Sequence, residues 1–123
     1  MGLSNRDGQI LKKIANYCEE IECAHREYTY SYETFCRNST YRNAVALCLM
    51  QIGELSAKLS EEFKADNTEI PWRAIKGMRN VVAHEYGNID VETVWETAET
   101  GTQELKEFCL RWLDQSHGFD FQF

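Results

Sequence analysis

Apolar residues recur at steps of three and four along most of this chain, which is the spacing of one face of an α-helix. The first such stretch runs from about Arg6 to Tyr28 and carries an apolar seam for more than three heptads. The seam consists of Ile10, Ile14, Tyr17, Ile21, Ala24 and Tyr28. A shorter piece from Ser31 to Asn38 follows, and residues 32–36 within it are predicted to be helical.

A second long helix is predicted to begin at Ser39 or Thr40, either of which can cap it, and to continue to Phe63. Its apolar positions are Tyr41, Val45, Cys48, Leu49, Ile52, Leu55, Leu59 and Phe63. Gly53 lies inside this helix, where glycine costs about 1 kcal/mol relative to alanine. We therefore expect a neighbouring helix to approach closely at Gly53, with Glu54 as a polar group at the crossing.

The polar residues 64–70 are predicted to form a loop, after which Pro71 can occupy the first position of a third long helix. The apolar positions of that helix are Trp72, Ile75, Met78 and Val82, and Gly87 is expected to end it. Asp90 then caps a last helix that extends to about Gln115. Its apolar stripe comprises Val91, Val94, Trp95, Ala98, Leu105, Phe108, Cys109 and Trp112.

These elements predict an all-α fold, because the sequence offers no strand of useful length and contains one proline among 123 residues. We expect an antiparallel four-helix up-and-down bundle with one extra short helix, as a single domain over residues 1–123. The tail, residues 116–123, alternates phenylalanine with polar residues. It is expected either to fray or to dock its phenylalanines onto a partner or a second copy.

Composition and charge narrow the class of protein. Apolar residues make up 43% and charged residues 27%, as in ordinary globular proteins. No apolar run approaches the roughly 20 residues of a membrane helix, and the first residues do not form a secretory signal, so a cytoplasmic protein is expected. The net charge of −7 argues against a surface that coats nucleic acid, so any RNA contact must be local.

The five cysteines form no C-x-x-C pair and are odd in number. We therefore predict reduced thiols that act as small apolar fillers, and no zinc site or other metal centre. His25 and His117 are expected at the surface without an assigned role.

The segment from Arg79 to Gly87 carries the strongest candidate chemistry, with a guanidinium, an amide (Asn80), an imidazole (His84) and a phenol (Tyr86). An imidazole can transfer protons near neutral pH, and a guanidinium can stabilise charge on a phosphate oxygen. On a regular helix Arg79 and Tyr86 share a face, whereas His84 lies about 140° from Arg79. Either the last turn loosens before Gly87, or a second copy of the helix across a dimer axis completes the site.

A plainer interpretation of Arg79 and His84 is a structural cap or ion pair. Arg79 adjoins the apolar line of its helix, and a half-buried guanidinium is costly unless an anion meets it. Glu54 or Glu85 could provide that anion.

Several ordered stretches of the sequence resemble one family. Arg79-Asn80-x-x-x-His84-x-Tyr86 resembles the R-x4-H-x-Y signature of the HEPN superfamily, specifically of its HepT-like branch. Ile52-Gly53-Glu54 resembles the I-G-E of that branch, and the run from Pro71 to Asn80 resembles its P-W-x-x-I-x-G-M-R-N. The turn at residues 87–90 and the following Val94-Trp95 resemble the start of its last helix. The similarity covers most of the chain from Tyr41 to Trp112.

The resemblance implies a HEPN-like helical bundle that forms a homodimer, with the paired motif helices lining a cleft. HepT-like proteins are described as metal-independent ribonuclease toxins of type VII toxin–antitoxin pairs. Their antitoxin is a minimal nucleotidyltransferase that adenylylates the motif tyrosine. Carried over, Arg79 and His84 are catalytic, Asn80 supports them, and Tyr86 is the site of modification. The implied partners are a second copy, an RNA substrate and the nucleotidyltransferase, without a cofactor.

The corresponding mechanism uses the 2′-hydroxyl of RNA as the nucleophile. His84 would act as general base or acid, which contributes roughly 10²–10⁴-fold to the rate. Arg79 would hold the non-bridging oxygens, where negative charge accumulates. Arg73, Lys76 and Arg42 could attract the RNA strand locally, or they could belong to a solvated face.

Two other functions remain open. The chain could be a non-catalytic nucleotide- or protein-binding partner subunit of a nucleotidyltransferase, or it could be a plain structural homodimer. Cleavage of RNA in the presence of EDTA by the native protein, but not by His84→Ala, would separate the enzyme from both.

Overall fold

The computed structural model describes residues 3–84 and 91–115, without the side chains of residues 80–84 and 115. Within these ranges the chain is helical and forms no strand, so the predicted all-α class is confirmed. The elements are α1 (Asn5–Glu27), α2 (Tyr32–Arg37), α3 (Ser39–Ala57), α4 (Glu61–Asp66), α5 (Trp72–His84), α6 (Val91–Glu96), a π-helical turn (Thr97–Gly101) and α7 (Thr102–Gln115).

The long elements form the bundle that the sequence predicts. Helix α1 packs against α3 and α7, and α3 also packs against α5. Neighbours run antiparallel: His25 near the end of α1 meets Tyr41 near the start of α3, whereas Asp7 at the start of α1 meets Ser60 just after α3. Between the long helices, the described residues form two short ones, α2 and α4, where the sequence predicted one. No helix in the described part of the chain is long and apolar enough to cross a membrane.

The buried face of α1 is wider than the predicted seam. Tyr17, Ala24 and Tyr28 lie only half-buried at its edge, whereas Cys18 and His25 are fully buried. A helix that contacts neighbours on two sides buries more than the narrow stripe of a coiled coil. The expectation of a surface His25 is therefore wrong.

His25 lies in an aromatic cluster that joins α1, α2, α3 and α6. A hydrogen bond of 2.5 Å joins its Nδ1 to the Tyr41 hydroxyl oxygen, and its ring stacks on Tyr30 at 4.9 Å. Burial lowers the pKa of the imidazole. The spacing of His25 from Ile21 and Cys18, four and seven residues, places it on the core stripe, and this signal could have revealed its burial.

The start of α3 differs by one residue from the prediction. The side chain of Asn38 accepts a hydrogen bond from the backbone N–H of Tyr41, at 3.0 Å, so Asn38 is the cap and not Ser39 or Thr40. An N-cap side chain satisfies one of the donors that the first turn of a helix leaves free.

The end of α3 departs further from the prediction than its start does. The helix was predicted to continue to Phe63, but it ends at Ala57. Ser60 caps a new helix, α4, which occupies part of the predicted loop. The two carboxylate oxygens of Asp7 accept hydrogen bonds from the Ser60 backbone N–H (2.9 Å) and hydroxyl (2.6 Å). This contact with the start of α1 stabilises the interruption between α3 and α4. The side chain of Phe63 is still buried in the core.

The predicted last helix is interrupted by the π-helical turn, which shifts the register of its buried side chains. Within and beside this turn, the hydroxyls of Thr97, Thr100 and Thr102 donate to the carbonyl oxygens four residues earlier. Such hydrogen bonds compete with the regular backbone pattern and distort a helix. The predicted cap Asp90 and the tail, residues 116–123, lie outside the described residues.

The thiols divide into two groups. Cys18, Cys48 and Cys109 are buried, as predicted for apolar fillers, whereas Cys23 and Cys36 are exposed, and none of the five forms a disulfide. Burial raises the pKa of Cys18 to about 12 and that of Cys48 to about 11. Among the described residues, no cluster of histidine, cysteine and carboxylate side chains is suited to hold a metal ion.

Candidate functional site

The candidate site is built on the crossing of α3 and α5, where the two backbones touch at Gly53. A Cβ atom at this position would lie 3.0 Å from the carbonyl oxygen of Ile75 and 3.1 Å from the backbone nitrogen of Arg79. No side chain fits there without displacing backbone. The predicted close approach at Gly53 is confirmed, and it brings α5 against α3 at the residue that bears the candidate guanidinium.

Glu54, the next residue of α3, holds Arg79. Nη1 of Arg79 donates to a carboxylate oxygen of Glu54 at 2.5 Å, and the two side chains are 35% and 42% exposed. This hydrogen bond lowers the pKa of Glu54. Of the two carboxylates considered from the sequence, Glu54 therefore meets the guanidinium, while Glu85 lies outside the described residues.

The Glu54–Arg79 pair leaves the guanidinium anchored at one end and reachable from solvent. An arginine side chain has five N–H donors in a planar fork, of which this hydrogen bond uses one. The remaining donors suit an anion with several oxygens, such as a phosphate group. The pair is therefore compatible with both the structural and the catalytic interpretation of Arg79.

Helix α5 is continuous to His84, and this constrains the geometry of the site. Arg79 and His84 are five residues apart on a regular helix, so their positions differ by about 140° around the axis. The helix is regular from Arg79 to His84, whereas residues 85–87, where the last turn was predicted to loosen, lie outside the described residues. The side chains of Asn80 and His84, and all of Tyr86, lie outside what the structure describes, so their predicted roles stay predictions.

Positions 73, 76, 80 and 84 of α5 are separated by three or four residues and therefore fall along one stripe of the helix. Arg73 and Lys76, at the start of this stripe, are exposed and line an open pocket of about 400 Å³. The other walls of the pocket come from the end of α3 and from α4. The structure thus brings together two of the three residues predicted to contact RNA.

Arg42, the third of these residues, lies elsewhere. Its Nη1 donates to the carbonyl oxygens of Phe35 (3.0 Å) and Cys36 (2.7 Å) at the end of α2. Backbone carbonyls at a helix C-terminus lack partners within the helix, and a basic side chain can satisfy them. This structural role, which the sequence pattern did not indicate, leaves an RNA contact of Arg42 as a prediction.

The family can now be decided, because the sequence model of the HepT-like ribonucleases matches residues 11–111. The chain belongs to this family. The matched range includes the α3–α5 crossing, the Glu54–Arg79 pair and the whole of α5. The resemblance stated from these sequence stretches is therefore confirmed.

Named relatives of this HepT-like protein support the same family. The "Putative RNase MJ1216" of Methanocaldococcus jannaschii is 37% identical over 112 residues, which cover 91% of this chain and 85% of the relative. The "Probable ribonuclease HepT" of Thermococcus cleftensis is 35% identical over 106 residues, which cover 86% of this chain and 93% of the relative. No solved structure matches this chain.

Membership confirms the predicted enzyme class, ribonuclease, at the level of the family. It gives the candidate site of this HepT-like protein a chemical context, because Arg79 lies on the helix that carries the R-x4-H string.

Proposed function

We propose that this HepT-like protein is a metal-independent endoribonuclease, the toxin of a type VII toxin–antitoxin pair. The 2′-oxygen of the substrate would attack the adjacent phosphorus while the bond from phosphorus to the 5′-oxygen breaks. The proton of the 2′-hydroxyl would pass to His84 acting as base, and an imidazolium would return a proton to the leaving oxygen. The products would be a 2′,3′-cyclic phosphate and a 5′-hydroxyl.

The observation that carries this proposal is the placement of Arg79 at the rim of the α3–α5 crossing. Glu54 holds its guanidinium, which remains about one third exposed. A cation fixed in advance stabilises the charge that builds on the phosphate oxygens without reorganising during the reaction. RNA brings its own nucleophile, so a guanidinium and an imidazole suffice for the chemistry.

The regular shape of α5 supports a site shared between two copies. Because the positions of Arg79 and His84 differ by about 140° around one helix, a single phosphate would not reach both residues from one side of that helix. Pairing of two α5 helices across a twofold axis would place Arg79 of one copy opposite His84 of the other. We therefore propose a homodimer with two composite sites, in which Asn80 orients the imidazole or the phosphate.

The antitoxin would inhibit the proposed ribonuclease by modifying Tyr86. Tyr86 is seven residues after Arg79, so a continuing helix would place both on one face. A minimal nucleotidyltransferase would transfer the adenylyl group of ATP to the phenol oxygen, which loses its proton, and pyrophosphate would be the leaving group. The added phosphate would occupy the guanidinium and block the substrate sterically and electrostatically.

The first experiment measures cleavage of a labelled RNA in EDTA by the native protein, Arg79→Ala and His84→Ala. We expect cleavage by the native protein alone. Mixing the two variants after subunit exchange should then restore about one quarter of the native activity, because half of the random dimers carry one intact composite site out of two. No recovery would place Arg79 and His84 of one chain in each site.

Silencing is tested by co-expression with a minimal nucleotidyltransferase of the proposed antitoxin class. The mass of the intact chain should increase by whole adenylyl groups, and Tyr86→Phe should abolish the increase. An unchanged mass in the native protein would contradict this part of the proposal.

A second candidate function is a non-catalytic nucleotide- or protein-binding partner subunit of a nucleotidyltransferase. The Glu54–Arg79 pair favours it, because the carboxylate already neutralises the guanidinium, and the net charge of −7 suits protein contacts. Equal background cleavage by the native protein and His84→Ala, together with retained binding to the nucleotidyltransferase, would support this alternative.

A further inference from the structure

Three basic side chains line the open pocket beside the start of α5, although the net charge of the chain is −7. Lys64 of α4 and Arg73 and Lys76 of α5 line it, and Glu61 is the one acidic residue among the described residues on its walls. Lys64 forms an ion pair with Glu61 at 3.3 Å, but Glu61 is almost entirely exposed while Lys64 is 16% exposed. Glu61 can therefore turn into solvent and leave three cations around the cavity.

The floor of the pocket contains a polar group without a partner. Ser56 of α3 lines the pocket, and its residue is only 1% exposed. Among the described residues, its hydroxyl oxygen has no hydrogen-bond partner. A buried hydroxyl is costly unless it forms a hydrogen bond, so its position at the base of a cationic pocket points to a ligand that supplies one.

One wall of the pocket is an aromatic ring that is held in place. The indole N–H of Trp72 donates to the carbonyl oxygen of Asn67 at 3.0 Å, and the ring packs against Phe63 and Phe108. A fixed aromatic surface beside cations is the usual means of binding a nucleotide of a single strand, because every base has an apolar face that stacks.

We infer that this pocket binds one nucleotide of a single-stranded RNA, with its phosphate on Lys64, Arg73 and Lys76 and its base against Trp72. The Ser56 hydroxyl donates to a phosphate oxygen. This inference rests on the proposed function for the identity of the ligand. Lys76 precedes His84 by eight residues, about 12 Å along the helix, so the bound nucleotide flanks the one that is cleaved. The pocket therefore positions the strand and takes no part in the bond-breaking step.

The first test measures binding of a fluorescent single-stranded RNA to protein carrying His84→Ala, so that cleavage does not interfere. In this background Arg73→Glu with Lys76→Glu is compared with Lys12→Glu with Lys13→Glu on α1, which makes the same change in net charge. We expect affinity to fall by tenfold or more, with a weaker salt dependence, only for the α5 pair. Equal losses for both pairs, or no loss for the α5 pair, would overturn the inference.

The second test uses Ser56→Ala, which removes an unpartnered hydroxyl. Its melting temperature should stay level or rise, whereas its affinity for RNA should fall several-fold. A merely structural serine would leave the affinity unchanged, and that result would overturn the role given to Ser56.

The third test follows tryptophan fluorescence when RNA binds. Trp72→Phe should lose the change in emission, and Trp112→Phe should keep it, because Trp112 also contacts Asn67 but does not line the pocket. Retention of the change in Trp72→Phe, or displacement of RNA by polyglutamate as readily as by unlabelled RNA, would contradict a nucleotide site.

Failure of this inference differs from failure of the proposed function. If the native protein cleaves RNA and the α5 charge-reversal pair leaves KM unchanged, the pocket is not used although the chain is a nuclease. If no variant cleaves RNA but the α5 pair still weakens binding selectively, the pocket binds RNA in a protein that is not a nuclease.

Discussion

Glu54 and Arg79 form an ion pair, at 2.5 Å, between two helices whose backbones touch one residue away. Gly53 sets the distance between α3 and α5, and Glu54 sets the direction of the guanidinium on α5. The I-G-E block and the R-x4-H string, 25 residues apart from Glu54 to Arg79, therefore work as one unit. Glu54 is a positioning residue for the candidate site.

Removing the carboxylate of Glu54 should strongly slow RNA cleavage and should change the stability of the fold only slightly. For Glu54→Ala we expect kcat to fall by roughly 10- to 100-fold, because a small displacement of a positioned group costs that much. The free energy of unfolding should change by less than about 1 kcal/mol, since half-exposed ion pairs contribute little. RNA cleavage and urea unfolding measure the two effects. Glu33→Ala, which removes the exposed Glu33–Arg37 pair, is the control and should change neither.

Enlarging Gly53 should destabilise the fold. In Gly53→Ala the new methyl group meets backbone atoms of Ile75 and Arg79, so we expect a loss of about 1–3 kcal/mol from overpacking. Gly77→Ala on α5 is the matched control, because no described atom outside its own helix turn lies within 4 Å of the added Cβ. This variant should gain about 0.5–1 kcal/mol from helix propensity. Equal effects in urea unfolding would refute the close contact at Gly53.

Stability should decrease below pH 6.5 because of His25. Burial lowers the pKa of its imidazole from the ordinary 6.5, so the unfolded chain binds a proton there before the folded chain does. The stabilisation that comes from the lowered pKa of His25 is fully present above pH 6.5. It is lost as the pH falls towards the lowered pKa. The slope is at most about 1.4 kcal/mol per pH unit.

The measurement is urea unfolding between about pH 5 and 7.5, with His25→Gln as the comparison. The variant should be less stable at neutral pH, where it loses the contact with Tyr41 and Tyr30, but it should lack this part of the slope. Identical slopes in the two proteins would mean that His25 titrates alike in both states.

Thiol labelling should separate the cysteines into two classes. Cys23 and Cys36 are exposed and should react with iodoacetamide in the native protein within the time that a free thiol requires. Cys18, Cys48 and Cys109 should react only after unfolding, because burial raises the pKa of each and blocks access. Peptide mass spectrometry assigns the sites. Rapid labelling of Cys109 in folded protein would contradict its burial.

The sequence predicted most of the fold because its signals are local. The apolar periodicity placed the long helices to within a few residues, and the glycine at position 53 predicted the close crossing that the structure contains. The prediction failed where a contact between residues far apart in the chain determines the local structure. The helix break after Ala57 depends on Asp7, which is 53 residues from Ser60 in the chain. No window of sequence around Ser60 contains that information.

The candidate site divides in the same way. The residue types at positions 79, 80, 84 and 86 indicated phosphodiester chemistry, and the spacing of Arg79 and His84 already raised the question of a second copy. The partner of Arg79 was one of two candidates until α3 and α5 came together. The role of Arg42 at the end of α2 and the pocket between α3, α4 and α5 were beyond any local pattern.

By itself, the sequence determined that this protein is helical and belongs to the HepT-like ribonucleases, because periodicity and motif spacing are properties of neighbouring residues. The tertiary structure decided which carboxylate holds Arg79, which histidine is buried and where cations gather on an acidic molecule. These depend on how helices pack. Packing brings together residues that are far apart in the chain, and burial then changes the free energy of every polar group it encloses.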